Sequence, residues 1–156
     1  MLKVMFVCYG NICRSPTAEF VFKALVKEKK LDDKIYVSSS ATSSEELGNP
    51  VYPPSKEEMK RHGIDCTGKC AVKLRSSDYE QYDMFVGMDD MNIRAMMRIL
   101  NGDPDGKIHK LMDFTPEGGE VSDPWYTRRF DKAYEDIDRG CLGLLEYIKE
   151  NGLLEV

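Results

Sequence analysis

The stretch LKVMFVCYGNICRSPTAEF, Leu2 to Phe20, constrains the fold of this chain more than any other. Leu2–Val7 is a mostly apolar run of strand length, the pattern of a strand buried on both faces. After a short loop, Pro16 opens a helix read over Pro16–Lys30, with Ser15 as its N-cap. Ala18, Val21, Phe22, Leu25 and Val26 fall on one stripe of that helix. A buried strand followed at once by an amphipathic helix calls for a parallel sheet with helices packed on it.

The rest of the chain repeats the alternation. Ile35–Ser38 reads as a second strand, the polar, Pro-rich stretch Ser39–Pro54 as a loop, and Ser55–His62 as a short helix closed by Gly63. Ser77 to Glu80 has capping-box form and opens another helical piece. Asp83–Met88 is the third strand, Asp89–Leu100 a helix and Lys107–Met112 the fourth strand. A long loop carries Ser122-Asp123-Pro124-Trp125-Tyr126. The last helix then shows Phe130, Tyr134, Ile137, Cys141, Leu144, Leu145 and Ile148 at near 3.6-residue spacing. The methionines Met88, Met91, Met96 and Met97 read as core. The predicted architecture is one α/β domain over residues 1–156, a four-stranded, mostly parallel, doubly wound sheet with helices on both faces.

Charge and cysteine usage narrow the function. A net charge of −5 with no Lys/Arg block argues against nucleic acid as a partner. No run approaches the roughly 20 apolar residues of a membrane span, so no membrane is expected. Five cysteines (Cys8, Cys13, Cys66, Cys70, Cys141) make an odd, unevenly spread set, unlike a secreted disulfide framework. With no secretory pattern ahead of the first strand, a reducing, cytoplasmic setting is expected.

In doubly wound sheets ligands bind beyond the carboxyl ends of the strands, where Cys8–Arg14 would lie. Backbone N–H groups of such a loop, with the helix start behind them, can surround one anion. Gly10 offers a permissive backbone for the curve, and Asn11 tolerates left-handed geometry while its amide braces the loop. Arg14 presents a planar fork to two oxygens of a phosphate-like group. A helix N-terminus and an arginine both favour a thiolate, so Cys8 is expected to be an anionic nucleophile beneath a tetrahedral oxyanion. The Ser15 hydroxyl could donate to the sulfur and ease its departure. Attack on a phosphate ester expels an alkoxide or phenolate that needs a proton, and Asp123, held before Pro124, is the candidate acid.

These motifs resemble the low-molecular-weight protein tyrosine phosphatases. The resemblance rests on VCYGNICRSPTAE, SSSATS, GNP, RHGI, VGMDDMN and DPWY, in that order along nearly the whole chain. It implies hydrolysis of phosphotyrosine proteins or small aryl phosphates through a phosphocysteine on Cys8. Arg14 would bind the phosphoryl oxygens, Asp123 act as acid and then base, and Tyr9, Gly10, Asn11, Ile12, Cys13 and Ser15 complete the phosphate loop. No cofactor or metal is implied, and a monomer or weak dimer is expected. Tyr9, Trp125 and Tyr126 would wall the pocket, joined by Glu45 where animal members often carry an aromatic.

Two departures matter. Relatives often carry a histidine shortly after the GI turn, supporting the loop serine and asparagine; here that place is Gly68. That leaves His62 and His109 as structural. Ile12 stands where the arginine-specific bacterial members resemble one another in having threonine. Rival readings are a thiol-dependent arsenate reductase using Cys66 and Cys70, a protein arginine phosphatase, a four-thiolate zinc site, and a non-catalytic phosphate-binding module. In the resembling family a residue placed like Cys13 can pair reversibly with the nucleophile. Cys141, on the apolar stripe of the last helix, reads as core.

Overall fold

In the computed structural model, which describes residues 1–154, the first strand is the spine of the molecule. The two terminal positions of the predicted domain, Glu155 and Val156, lie outside the described residues. Strand β1 (Leu2–Cys8) pairs in parallel with β2 (Ile35–Ala41) on one side and with β3 (Met84–Gly87) on the other; β3 pairs in parallel with β4 (Ile108–Lys110). The order β2-β1-β3-β4 places a topological switch point at the carboxyl end of β1.

Side chains of β1 alternate between two cores. Val4, Phe6 and Cys8 face a large cluster built with α1 (Arg14–Glu28) and α6 (Phe130–Glu150), where Phe6 and Phe22 meet edge to face at 5.6 Å. Met5 and Val7 face the opposite cluster, with Leu74, Tyr79 of α3 (Asp78–Gln81), and Met96 of α4 (Asp90–Ile99). The helices therefore cover both faces. A further helix, α2 (Pro53–Arg61), packs on the α1/α6 side, and a single turn, α5 (Pro124–Thr127), stands over the end of β1.

The structure corrects several local readings. All strand pairs are parallel. β2 runs three residues beyond its predicted end, because Ser39, Ser40 and Ala41 pair with Phe6, Val7 and Cys8. Two serines and an alanine carry little strand propensity, but the neighbouring backbone supplies partners that override it. α2 starts two residues before its predicted start, with Pro53 in its first turn. Ser15 is not an N-cap: α1 begins at Arg14 behind Cys13, with no side-chain cap. Ser77 caps nothing; Asp78 instead accepts from the Arg75 N–H at 2.9 Å. The capping box of this chain is Asp89 with Asn92, at the head of α4. Met88 and Met96 are core as expected, whereas Met91 and Met97 are exposed, lying on the outer face of α4.

Helix α6 approaches the turn Leu111–Phe114 so closely that only glycine fits twice. A Cβ at Gly140 would sit 2.5 Å from Leu111 Cγ, and one at Gly143 would overlap the Phe114 carbonyl oxygen. Alanine in a helix is favoured over glycine by about 1 kcal/mol, whereas overpacking costs about 1–3 kcal/mol. Contact with rigid backbone decides the sign at Gly143. Gly143→Ala is expected to destabilise the fold by about 1–3 kcal/mol, read as a lower urea midpoint with unchanged slope. A stabilised variant would show that α6 does not pack this closely.

Candidate active site

The loop after β1 folds back on its own sulfur. The backbone N–H groups of Asn11 and Ser15 point at Cys8 Sγ from 3.3 and 3.4 Å, and the Ser15 hydroxyl lies 3.0 Å from it. Ser15 is thus not a cap; its hydroxyl stands at the sulfur, as the sequence also suggested. The curve is made at Asn11, whose φ of +60° is the left-handed value asparagine tolerates. Gly10 does not take a positive φ; its missing Cβ matters because one would come within 3.4 Å of Glu46 Cγ.

Asn11 is held from three sides. Its amide donates to Ser15 Oγ at 2.7 Å and to Ser39 Oγ at 3.0 Å, and its carbonyl accepts from the Val72 N–H at 3.1 Å. The gap left by Gly68 is filled from the next residue. Lys69 reaches under the loop to donate to the Ser39 carbonyl at 3.0 Å and lies 3.4 Å from Glu19 Oε1. Glu19, buried in α1, also accepts from Ser39 Oγ at 2.6 Å and pairs with Lys23 at 2.5 Å. The brace is therefore an ion pair with a serine between it and Asn11.

Arg14 is 3% exposed and satisfies its charge across the sheet. It donates to Asp89 Oδ2 at 2.7 Å and to the Val121 carbonyl at 2.9 Å. Its second terminal nitrogen lies 3.5 Å from Asp123 Oδ2, a charge contact rather than a short hydrogen bond. Burial pulls the guanidinium pKa down, but the Cys8 sulfur, Asp89 and Asp123 more than offset it, so it rises above its ordinary value and Arg14 stays cationic. Asp123 heads α5, where its Oδ1 accepts from the Trp125 N–H at 3.0 Å.

Above the sulfur opens a cavity of about 140 Å³, small beside the roughly 300–1,000 Å³ of typical small-molecule sites, so it suits one side chain. Its floor is Cys8, Ile12, Cys13 and Arg14; its walls are Tyr9, Gly10, Glu45, Glu46, Trp125 and Tyr126, with Asp123 between them. Tyr9 donates its hydroxyl to Glu45 at 2.8 Å. Asn11 and Ser15 lie beneath, buried and bracing. Every residue expected at the site is therefore in it or directly under it. Sequence reasoning missed Glu46, Asp89, Val121 and the Glu19–Ser39–Lys69 brace. Asp89 had a signal, since it begins the predicted helix after the third strand; Val121 contributes only backbone and had none.

The remaining cysteines stand apart from the pocket. Cys13 is the exception, and burial pushes its thiol up to about 12, so it stays protonated at neutral pH. Cys66 is buried and Cys70 exposed, and neither lines the cavity. Cys141 is core, and burial raises its thiol well above the ordinary range. His62 stacks on Tyr134 at 3.9 Å, and His109 packs between Phe114 and Tyr147.

A sulfur on an anion-binding loop, with a buried arginine and a carboxylate over it, fits cysteine-based phosphoryl transfer. Comparison with known proteins narrows that class. The family described as low molecular weight phosphotyrosine protein phosphatase matches residues 3–153. The low molecular weight protein-tyrosine-phosphatase YfkJ of Bacillus subtilis is 34% identical over 152 residues, covering 96% of this chain and 97% of its own. Its crystal structure aligns with a TM-score of 0.93 at 33% identity, over 97% of this chain and 96% of that one. A Gallus gallus low molecular weight phosphotyrosine protein phosphatase is 38% identical over 148 residues, 92% of this chain and 93% of its own. The structure of DARP, a Drosophila arginine phosphatase, aligns with a TM-score of 0.85 at 30% identity, over 95% of this chain and 98% of that one. This chain belongs to the low-molecular-weight phosphotyrosine protein phosphatase family.

Lys69→Met would leave Glu19 buried with only Lys23 as its cation, and should cost about 1–3 kcal/mol of stability. Pairing it with Glu19→Gln removes the stranded charge, so the double variant should recover more than half of that loss in urea unfolding. Additive losses would mean that the two side chains do not interact.

Proposed function

We propose that this protein tyrosine phosphatase works by two-step transfer through Cys8. The observation that carries the reading is the Cys8 sulfur, which accepts from two loop N–H groups and lies 3.0 Å from the Ser15 hydroxyl, beneath a cavity edged by Arg14 and Asp123. In the first step the sulfur attacks phosphorus and the P–O bond to the aryl group breaks. Asp123 gives its proton to the departing phenolate, while Arg14 and the loop N–H groups hold the phosphoryl oxygens. In the second step Asp123 takes a proton from water, the oxygen attacks phosphorus, and the P–S bond breaks. The Ser15 hydroxyl then stabilises the sulfur that leaves. No step requires a metal or a cofactor.

The walls support phosphotyrosine as the preferred residue. Ile12 offers a ring apolar contact, Tyr9 and Trp125 add aromatic surface, and the narrow floor leaves a short phosphoserine stem out of reach. DARP acts on arginine, but here a guanidinium would meet the Ile12 side chain, which holds no hydrogen-bond partner. Cys66 and Cys70 stand away from the cavity, which weighs against a reductase relay. Glu45 and Glu46 at the mouth disfavour acidic flanking sequence in a substrate. A chemistry that depends on Cys8 as a free thiol favours the reducing cytoplasm.

Cys8→Ser should abolish turnover of p-nitrophenyl phosphate while keeping vanadate binding, because the loop amides and Arg14 remain. Appreciable turnover by Cys8→Ser would sink the mechanism. In competition between phosphopeptides differing only at the modified residue, phosphotyrosine should exceed phosphoarginine by at least about tenfold in kcat/KM. Ile12→Thr should narrow that ratio, and an unchanged ratio would remove Ile12 as the filter.

A further inference from the structure

One side chain outside the pocket lining joins the two halves of the site. The backbone N–H of Tyr52, at the head of α2, donates to the Ile12 carbonyl at 2.9 Å, and its ring packs on the Ile12–Cys13 cluster. Tyr52 is thereby fixed to the phosphate loop. From the other side the Trp125 ring lies 4.9 Å from it, tilted by 51°, and Phe130 lies at 5.9 Å. Arg128 closes the group. Its guanidinium stands 5.5 Å from the Tyr52 ring centroid and 5.1 Å from that of Phe130, and it donates to the Tyr52 hydroxyl at 3.1 Å and to the Trp125 carbonyl at 3.4 Å.

Arg128 also ends α5. Its backbone N–H donates to the Pro124 carbonyl at 2.9 Å with φ at +60°, a left-handed value uncommon for a residue other than glycine. The turn so closed is the one whose first residue is Asp123. A single helical turn has no stability of its own, so the place of the carboxylate relative to Cys8 depends on what holds the turn down.

We propose that Tyr52 and Arg128 form a clamp that sets Asp123 over the phosphate loop, with Arg128 a positioning residue for proton transfer to the leaving group. The clamp rests on the reading of Asp123 as that proton donor. Arg128 does not line the cavity. Its effect on proton transfer passes through the turn, so that effect should disappear when Asp123 can no longer donate.

The test is a double-mutant cycle read as kcat/KM over aryl phosphates of graded leaving-group pKa, the quantity that reports phosphorylation of Cys8. Asp123→Asn alone should lose about 10²–10³-fold on poor leaving groups and much less on good ones. Arg128→Ala should lose about tenfold on poor leaving groups and under about twofold on good ones, since a 1 Å misplacement can cost about 10²-fold. Added to Asp123→Asn, the same change should cost less than about twofold. Tyr52→Phe, which keeps the ring, should show a smaller loss in the same direction, and Arg128→Lys, which keeps a cation over the rings, should recover part of the Arg128→Ala loss. A tenfold loss in both backgrounds, or one indifferent to the leaving group, would overturn the clamp. A flat dependence in Asp123→Asn itself would remove the proton donor, and the clamp with it.

Discussion

A guanidinium almost wholly removed from water is the constraint around which this molecule is arranged. A buried cation without partners costs several kcal/mol, so Arg14 obliges the chain to bring acceptors to it. It finds Asp89 75 positions along the chain, the Val121 carbonyl 107 positions along and Asp123 109 positions along. Asp89 is delivered by the end of β3, which must lie beside β1, and residues 121–123 by the long loop that precedes α6. The parallel sheet brings these segments together at the carboxyl end of its central strand. Removing any one would leave the charge short of a partner in a place water cannot easily reach.

Beneath the loop a second polar set works by the opposite economy, with small side chains instead of one large one. Ser15, Asn11 and Ser39 form a hydrogen-bonded line from the Cys8 sulfur to the Glu19–Lys69 ion pair. Among the described residues no buried side-chain nitrogen or oxygen lacks a hydrogen-bond partner. Complete satisfaction matters because a polar network in a low-dielectric interior stiffens a structure only when each member is paired. The serine-rich end of β2 makes this possible: its residues are narrow enough for the loop to lie directly on them. The loop can therefore keep a left-handed residue, Asn11, at its tightest point.

How much of this was legible in the sequence follows from where each signal is stored. The alternation of four strands with helices and the apolar stripe of α6 are written in side-chain periodicity, and those elements exist in the predicted order. Their ends move: α1 begins two residues earlier, and β3 and β4 are shorter than predicted, with Leu111 and Met112 in a tight turn. That Cys8, Arg14 and Asp123 share one cavity was legible because their chemical types are rare in combination, and family motifs tied them together. The end of β2 was illegible because its pairing is a backbone property of a neighbour. Ser15 stands by the sulfur as expected, but the capping roles given to Ser15 and Ser77 failed, because a hydroxyl at a helix start looks the same whether it bonds the backbone, a sulfur or nothing. Lys69 was missed because one lysine beside a glycine carries no sign that it reaches under the loop to a glutamate 50 positions earlier.

The separations around Arg14 also fix an order of events during synthesis. Cys8 and its loop leave the ribosome before Asp123, which lies 109 positions beyond Arg14. At roughly 5–20 residues per second, that interval lasts about 5–22 seconds. Throughout it the nascent chain carries Arg14 without Asp123, and for its earlier part β1 also lacks the flanking strands β2 and β3. Arg14 is thus short of an acceptor until residue 123 has been made.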